Sequence, residues 1–420
     1  MDVKIFPSKV TKREVQVPSS KSLAHRGIIC AALAKGKSII RGVDMSIDIQ
    51  TTIDCVLKFG AKVEVVGKDI IVEGVETIDY NGEDVWCNES GSTLRFMIPI
   101  FSLSNKKVSF KGSSRLLQRP QEVYKQLFEE QGKSFTQDDE VIITNGAIKA
   151  GEIVIDGNIS SQFISGLLFA LPLLNGDSII RINPPFASRS YVDLTIDMLR
   201  KFSVCIEWKD EFTLFIKGNQ LYKCKEEVIE ADYSQLAFYG GLGALQGPLT
   251  CVGVNKDSLQ GDKVLIDILG NMGVEVFWHD NCITFDKGVL KASSIDLENC
   301  PDLGPMLFAL AAFIPQETHF TNVCRLRMKE SDRVDDMLKE LDKLGIITKS
   351  NENEAWIIGR KFDSVTTFDG HNDHRIVMAL AIIATCLKKP VIITGAQAVE
   401  KSYPSFFADL KELGIKVEVL

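Results

Sequence analysis

The sequence predicts an α/β protein of two similar domains, each built from three β-α-β-α-β-β units with buried helices. Three observations support this: a pattern that repeats along the whole chain, helices that lack a polar face, and a length of 420 residues. Domains commonly contain about 100 to 200 residues, so the length favours two or three of them. The repeat favours two, because it occurs six times and divides evenly.

The repeat is a polar cluster followed by a nearly all-apolar helix, a short turn with Gly or Lys, and a β-branched strand. The polar clusters lie at Ser20, Ser90, Ser160, Asp232, Asp302 and Asp373, at steps of 70, 70, 72, 70 and 71 residues. The apolar helices, such as 306–313, have no polar face and must be enclosed by other elements. One buried helix per unit, with strands outside, satisfies this requirement.

Each unit continues with an amphipathic helix and two strands separated by a turn. In the first unit these are 48–60, 62–65 and 70–72. The strand before each apolar helix, such as 14–17, completes the unit.

The two ends of the chain are complementary. The sixth unit stops after 415–419, one strand short, whereas an additional strand at 3–6 precedes the first unit. We therefore expect a first domain over residues 13–226. The second domain covers 227–420 and is completed by the N-terminal strand in residues 1–12.

Composition excludes several classes of protein. The chain has 48 Lys+Arg and 56 Asp+Glu, a net charge of −8, and 45% hydrophobic residues, which is typical of globular proteins. This acidic balance argues against nucleic-acid binding but not against small anionic ligands. The apolar runs 305–315 and 376–384 are shorter than the roughly 18 to 20 residues that cross a bilayer. No targeting segment is recognisable, so we expect a cytoplasmic protein.

The ten Cys include no Cys-x-x-Cys pair and lie mostly in apolar stretches, so we expect them to be reduced and buried. The His residues show no metal-ligand spacing.

Basic residues recur at predicted helix starts, where free N–H groups and the helix dipole already supply positive charge. They are Lys21, Arg119, Arg189, Arg333, Arg375 and Lys401. A bound anion would supply the missing negative charge, so the pattern predicts a site where helix starts and cations converge on phosphate and carboxylate groups. The alternative is that these are solvated surface charges.

Nine short motifs surround these residues: Pro18-Ser19-Ser20-Lys21-Ser22 with Arg26; Gly91-Ser92-Thr93-Leu94-Arg95; Gln118-Arg119-Pro120; Asp156-Gly157-Asn158-Ile159-Ser160-Ser161-Gln162-Phe163; Ser188-Arg189-Ser190-Tyr191; Pro301-Asp302; Lys329-Glu330-Ser331-Asp332-Arg333; Asn372-Asp373-His374-Arg375; and Lys401-Ser402-Tyr403-Pro404. In this order and spacing they resemble the 5-enolpyruvylshikimate-3-phosphate synthase family over essentially the whole chain. The resemblance implies the enolpyruvyl transferase fold, two inside-out α/β barrels with the substrates between them.

The resemblance also implies a reaction of the shikimate pathway for aromatic amino acids. Phosphoenolpyruvate donates its carboxyvinyl group to the 5-hydroxyl of shikimate 3-phosphate, through a tetrahedral intermediate, with release of phosphate. No metal or organic cofactor is implied. We expect a monomer that acts on small anionic molecules, without nucleic acid or membrane partners, and that closes its domains when the anions bind.

By resemblance, phosphoenolpyruvate contacts Lys21, Gly91, Arg119, Gln162, Arg333, His374, Arg375 and Lys401. Shikimate 3-phosphate contacts Lys21, Ser22, Arg26, Ser160, Ser161, Gln162, Ser188, Tyr191, Asp302 and Lys329. Arg suits both substrates because its planar fork can bond two oxygens at once.

The chemistry requires a base for the 5-hydroxyl proton and an acid for the methylene carbon. We expect Asp302 near the hydroxyl and Glu330 near the methylene, with Lys21 assisting the leaving phosphate oxygen. Without the resemblance, a helix cap is the better explanation of Asp302, and a complement to a helix dipole explains Glu330 equally well.

Two other functions are alternatives to this one. The enolpyruvyl transferase that acts on UDP-N-acetylglucosamine shares the fold, but its pattern has Lys-Asn at Lys21-Ser22 and a reactive Cys that 111–120 lacks. A non-catalytic anion-binding protein on the same scaffold would lack a catalytic carboxylate or Lys21. The chain departs from the family at Glu89 and Arg325, where many relatives have Asn, and we interpret the two as a compensating ion pair.

Overall fold

One apolar helix in each repeat is almost entirely buried. The computed structural model describes residues 1–420. Its α-helices are α1 Lys21–Leu33, α2 Ile47–Lys58, α3 Gly91–Ser102, α4 Ser114–Leu117, α5 Glu122–Glu130, α6 Ser161–Ala170, α7 Arg189–Lys201, α8 Tyr233–Gln246, α9 Leu265–Asn271, α10 Gly304–Ala311, α11 Arg333–Asp342, α12 His374–Thr385 and α13 Phe406–Glu412. Short 3₁₀ helices cover Leu171–Leu173, Gly261–Val264, Pro301–Leu303, Cys324–Met328 and Ala396–Lys401.

Strands fill the segments between the helices. They are β1 Val3–Ile5, β2 Glu14–Gln16, β3 Ala34–Arg41, β4 Lys62–Val66, β5 Asp69–Gly74, β6 Val85–Trp86, β7 Lys107–Lys111, β8 Ser134–Gln137, β9 Ile142–Asn145, β10 Glu152–Asp156, β11 Ser178–Asn183, β12 Ile206–Asp210, β13 Thr213–Ile216, β14 Tyr222–Lys223 and β15 Glu226–Val228. They continue with β16 Leu249–Val252, β17 Glu275–His279, β18 Cys282–Asp286, β19 Ser294–Asp296, β20 Thr318–Thr321, β21 Ile347–Ser350, β22 Glu354–Ile358, β23 Thr367–Asp369, β24 Val391–Thr394 and β25 Val417–Val419.

All six sheets share one strand order, as the sequence repeat requires. The orders are β15-β3-β5-β4 with β14 also beside β3, β6-β7-β9-β8, β10-β11-β13-β12, β2-β16-β18-β17, β19-β20-β22-β21 and β23-β24-β1-β25. In each sheet the first two strands are parallel and the other pairs are antiparallel. Parallel neighbours need a crossover connection, and a buried helix provides it in most of the sheets. The predicted α/β class is confirmed.

The chain divides into two units. The continuous unit is Ser19–Ile229, and the split unit is Met1–Pro18 with Glu230–Leu420. Each unit holds three of the sheets and its own cluster of buried apolar side chains. The division falls at Pro18 and Ile229, later than the 12 and 227 expected from the sequence.

The later boundaries follow from two strands that pair in a different unit from the one that the repeat predicts. β2 precedes α1 but pairs in parallel with β16 of the split unit, Cys251 opposite Val15. β15 precedes α8 but pairs in parallel with β3 of the continuous unit. The strands before α1 and α8 are therefore exchanged between the first and fourth repeats.

The N-terminal strand lies in the sheet of the sixth repeat. β1 is antiparallel to both β24 and β25, with Val3 opposite Ile393 and Val419. It occupies the position that the last strand of a repeat takes in the other five sheets.

A glycine brings two of the buried helices close together and so sets their starts side by side. A Cβ atom on Gly166 of α6 would lie 2.3 Å from the carbonyl oxygen of Arg95 in α3 and from the Tyr124 hydroxyl. Any larger side chain would push α6 away from α3.

The expectation that the cysteines are buried needs adjustment at two of them. All ten Cys are free, but Cys205 and Cys224 are exposed, because both lie near turns rather than in the core. No helix is long and apolar enough to span a membrane.

We predict that Val3→Asp destabilises the split unit by at least about 3 kcal/mol, because it buries a carboxylate without a partner. Urea unfolding followed by the fluorescence of Trp278 and Trp356 measures this unit. Lys4→Gln, on the other face of the same strand, is the control and should change little. Equal urea midpoints for the two variants would contradict the conclusion that the buried face of β1 stabilises the split unit.

Candidate active site

Serine hydroxyls cap the three buried helices of the continuous unit. Ser20, Ser90 and Ser160 accept hydrogen bonds from the first-turn N–H groups of α1, α3 and α6, over 3.4, 3.2 and 3.3 Å. The first turn of none of the three contains an acidic residue. The partial positive charge of these helix starts is thus not neutralised by carboxylates in their own first turns.

Lys21 lies at the first of these helix starts and pairs with a carboxylate of the neighbouring helix. Its Nζ is 2.6 Å from Oδ2 of Asp48 in α2, and both side chains are largely buried. Hydroxyl contacts link α1 to α3: His25 Nδ1 is 2.6 Å from Thr52 Oγ1, which is 2.8 Å from Thr93 Oγ1. Burial and the nearby cations Lys21 and Arg26 lower the pKa of His25 well below its ordinary value.

The starts of α3 and α6 meet through Gln162 and Arg95. Gln162 donates from Nε2 to Ser92 over 2.9 Å, and its Oε1 accepts from Arg95 over 2.9 Å. Arg119 lies directly against Gly91, since a Cβ there would be 2.5 Å from Arg119 Nη1. The absence of a side chain at Gly91 is what admits this guanidinium.

Arg26 ties α1 to α7. It is 2% exposed and donates to Thr195 Oγ1 over 2.8 Å and to the carbonyl oxygens of Ser22 and Tyr191 over 2.8 and 3.1 Å. Burial lowers the pKa of Arg26 to about 10. The neighbouring site candidates Ser161 and Ser188 are also buried, and Ser188 has the left-handed backbone conformation just before α7.

In the split unit, three cations surround Asp302. Its Oδ1 is 2.8 Å from Arg333 Nη1 and 3.3 Å from Lys329 Nζ, and its Oδ2 is 3.0 Å from Arg375 Nη2. Asp302 lies in a 3₁₀ turn, and the N-cap of α10 is Leu303, so the helix-cap interpretation of Asp302 is wrong.

Arg333 joins three carboxylates from three segments. Besides Asp302 it donates to Glu330 Oε2 over 2.7 Å and to Asp373 Oδ2 over 2.8 Å, and its side chain is 1% exposed. Burial alone would lower the pKa of Arg333, but the three carboxylates raise it above its ordinary value. Glu330 is held as a partner of a buried guanidinium and lies ahead of α11 rather than in its first turn.

The remaining predicted residues lie at the start of α12. Asp373 caps this helix by accepting from Arg375 N–H over 2.9 Å, and His374 is its first residue and is buried. Lys401 donates to the carbonyl oxygen of Asn372 over 2.6 Å. Arg375 Nε and Nη1 are buried and make no hydrogen bond within the protein. Burial would lower the pKa of Arg375, but Asp302, Asp232 and Asp262 raise it.

Lys329, which pairs with Asp302, has a lowered pKa. Burial is the main cause, and the positive charges of Arg333 and Arg325 lower the pKa further, whereas the charge of Asp302 opposes the change.

Arg189 does not join either cluster, although the sequence placed it with the other cations. Its guanidinium lies over the Trp208 ring at 4.2 Å and donates to the Glu211 carbonyl. Arg119 and Lys401 also differ from the prediction, because neither lies in the first turn of a helix. α5 begins at Glu122 and α13 at Phe406.

No role was predicted from the sequence for three polar residues at these clusters, Asp48, Arg95 and Asp262, although Arg95 lies in one of the nine motifs. Asp262 is 2% exposed, its Oδ2 accepts from the Ser234 hydroxyl, and its Oδ1 makes no hydrogen bond. Burial raises the pKa of Asp262 to about 7, and the charge of Asp302 adds to the effect. The repeat contained a signal, since Asp48 and Asp262 are each the second residue of the helix that opens the second half of a unit.

Comparison with known proteins identifies the family. A family model described as EPSP synthase (3-phosphoshikimate 1-carboxyvinyltransferase) matches residues 6–410. The chain belongs to the EPSP synthase family. Two relatives named 3-phosphoshikimate 1-carboxyvinyltransferase support the match. The one from Clostridium kluyveri is 41% identical over 421 residues, covering 99% of this chain and 98% of the relative. The one from Clostridium perfringens (strain ATCC 13124) is 43% identical over 414 residues, covering 98% and 97%.

Solved structures show the EPSP synthase fold. The EPSP synthase of Acinetobacter baumannii gives a TM-score of 0.83 at 23% identity, over 99% of both chains. The enolpyruvyl transferase NikO of Streptomyces tendae gives 0.82 at 16% identity, over 99% of this chain and 98% of that one. The predicted enolpyruvyl transferase fold is confirmed, and no match favours the amino-sugar nucleotide enzyme or a binding-only protein.

We predict that Asp262→Asn alters how the stability of this EPSP synthase family member depends on pH. The folded-state pKa of Asp262 lies above its ordinary value, so folding takes up a proton, and that stabilisation is lost as pH rises from about 4 to about 7. Asparagine can still accept from Ser234 but does not titrate. As pH rises over this interval, the free energy of unfolding of the variant should therefore increase by about 2 to 4 kcal/mol relative to that of the parent.

Urea unfolding at several pH values, followed by the fluorescence of Trp278 and Trp356, measures this difference. The exposed Asp267→Asn is the matched control. A difference between Asp262→Asn and the parent that does not vary with pH would show that Asp262 is charged throughout.

Proposed function

We propose that this chain transfers the carboxyvinyl group of phosphoenolpyruvate to the 5-hydroxyl of shikimate 3-phosphate, with release of phosphate. Family membership and full-length identity to proteins named for this activity support the proposal. In the addition step, C2 of phosphoenolpyruvate bonds to the hydroxyl oxygen while its methylene carbon gains a proton. In the elimination step, the methyl group loses a proton and the bond between C2 and the phosphate oxygen breaks.

The observation that carries the proposal is Asp302 among Arg333, Arg375 and Lys329. Neighbouring cations favour the ionised form of a carboxylate, which a general base requires. Those same cations would weaken the base if nothing else engaged them. Anionic substrates offer these cations new acceptors, which leaves the Asp302 carboxylate available to accept the proton of the hydroxyl.

We assign the methylene proton to Glu330. Its carboxylate contacts Arg333 at 2.7 Å, and its side chain retains 18% exposure, so substrate can reach it. Removal of a proton from the methyl group in the elimination step falls to Glu330 as well. Lys21, at the start of α1, assists the leaving phosphate oxygen and exchanges Asp48 for it.

Substrate binding follows from what each cluster offers. Phosphoenolpyruvate is assigned to Arg333, His374, Arg375 and Lys401 of the split unit and to Lys21, Gly91, Arg119 and Gln162 of the continuous unit. Shikimate 3-phosphate is assigned to Lys21, Ser22, Arg26, Ser160, Ser161, Gln162, Ser188, Tyr191, Asp302 and Lys329. The two free donors of Arg375 support its assignment, because a buried unpaired donor costs about 1 to 3 kcal/mol until an acceptor binds.

Arg26 differs from the other assigned cations. Its three nitrogens already donate to Thr195, Ser22 and Tyr191, so we propose that it mainly positions the last two for shikimate 3-phosphate.

A coupled phosphate-release assay with phosphoenolpyruvate and shikimate 3-phosphate tests the proposal. Turnover with this acceptor supports it. Turnover only with UDP-N-acetylglucosamine would identify the other transferase, and no turnover with either acceptor would indicate a binding protein.

In this assay we predict that Lys21→Ala and Glu330→Ala each lose at least about two decades of turnover, the low end for positioned acid and base groups. Arg189→Ala is the control, because the Arg189 guanidinium packs on Trp208. It should retain near-normal turnover. A near-normal rate for Lys21→Ala or Glu330→Ala would remove that residue from the mechanism.

We also predict that Gly91→Ala raises the KM for phosphoenolpyruvate by about a decade or more, because its methyl group displaces Arg119 from a charge-assisted contact. The KM for shikimate 3-phosphate should change much less. Gly132→Ala tests the substitution at an open glycine, although its positive φ adds local strain there. Equal changes in both KM values would show that the methyl group disturbs more than Arg119.

We further propose that the chain acts as a monomer in the cytoplasm and takes no nucleic acid. The net charge of −8 supports the last point, since nucleic-acid-binding domains usually have a basic surface. Sedimentation at the mass of one chain, 46.6 kDa, is the expected result.

A further inference from the structure

A cavity in the split unit lies at the far ends of two buried helices. It has a volume of about 280 Å³ and is lined by Phe313 after α10, by 360–365 between β22 and β23, and by 386–389 after α12. Residues 375 and 386 are eleven positions apart along α12 and its C-cap, which is about 16 Å at 1.5 Å per residue. A molecule in this cavity would therefore not contact Asp302 or Arg375.

The cavity has an aromatic and aliphatic wall. The rings of Phe313 and Phe362 form an edge-to-face pair with centroids 4.8 Å apart at 85°. Both rings are only partly buried, and Val365, Leu387 and the partly buried Cys386 complete this wall. Partly buried rings in a concave wall offer a face to a flat apolar group.

Two dibasic pairs line the same cavity. Arg360 and Lys361 come from one segment, and Lys388 and Lys389 from another. All four are exposed, and none makes an ion pair or a hydrogen bond through its side chain, whereas Asp363 is the only acidic residue of the lining. This excess of positive charge stands out in a chain with a net charge of −8.

Helix dipoles explain only part of this arrangement. Cations near a helix C-terminus gain about 0.3 to 1 kcal/mol. The final carbonyl groups of α12 already have partners, since Ser8 N–H donates to Thr385 O over 3.1 Å and Cys386 N–H donates to Ala384 and Ile383. Dipole compensation also gives no reason for an aromatic pair beside the charges.

A glycine fixes the position of the first dibasic pair. The Gly359 N–H donates to Ile314 O over 2.7 Å, and a Cβ at Gly359 would lie 2.4 Å from Ala312 O. This close approach holds the chain just before Arg360 against the end of α10.

We propose that this cavity is a binding site for a small organic anion with an aromatic body, of the aryl carboxylate or aryl phosphate class. The ring packs against Phe313 and Phe362, and the anionic group lies between the two dibasic pairs. The volume is close to the lower limit of about 300 Å³ for ligand pockets, so the ligand is small.

The test uses 8-anilinonaphthalene-1-sulfonate, an aryl anion whose fluorescence rises in apolar sites, with the full chain. The double variant Lys388→Ala with Lys389→Ala removes one dibasic pair. We expect it to weaken the affinity of the site by about tenfold, since charge-assisted contacts are the stronger polar ones. The control, Lys37→Ala with Lys107→Ala, removes the same charge from exposed positions of the continuous unit and should bind like the parent.

Competition defines the ligand class, and a second variant tests the wall. Benzoate should displace the probe, whereas acetate, which lacks the ring, and benzyl alcohol, which lacks the charge, should not. Phe362→Leu keeps the wall apolar but removes the ring, so it should also weaken the binding of the probe. Unchanged urea unfolding and turnover would show that these variants remain folded. Parent-like affinity in the double variant, or equal displacement by acetate and benzoate, would overturn the proposal.

Discussion

The buried contacts between guanidinium groups and carboxylates in the split unit are the constraint on which the rest of the site depends. Arg333 is 1% exposed and must keep its carboxylate partners, because a buried charge that loses its partner costs about 3 to 5 kcal/mol. Asp302, Glu330 and Asp373 are therefore fixed in place by the same residue. A carboxylate held in this way is already in a defined position before any ligand binds.

The fold supplies this arrangement by repetition. Six sheets with one strand order each place the start of a buried helix at an equivalent point of its unit. The two units use those points differently. Ser20, Ser90 and Ser160 leave the helix starts of the continuous unit positive, whereas Asp232, Asp302 and Asp373 bring negative charge to the split unit and draw arginines towards it. One scaffold thus presents uncompensated helix starts in one unit and carboxylates paired with arginines in the other.

Much of the fold and part of the site could be predicted from the sequence. The 70-residue spacing and the apolar helices sufficed for the α/β class and the number of units, because both depend on local periodicity. The exchange of β2 and β15 was not predictable, since a strand has the same pattern whichever parallel neighbour it takes. Arg189 lies at a predicted helix start like the other cations, but its guanidinium packs on the ring of Trp208 in β12. The sequence did not predict this contact. Asp262 could be noticed in the sequence only as an Asp that recurs in the repeat. Its raised pKa results from burial, which depends on the packing of residues distant in the sequence.

The position of β1 has a consequence for synthesis on the ribosome. Val3 is translated long before the residues it pairs with, Ile393 and Val419. Residues 19–229 are contiguous and can fold while translation continues, whereas β1 can complete its pairing only after Val419 has been made. During that interval β1 has no partner strand, and an unpaired strand can associate with other chains.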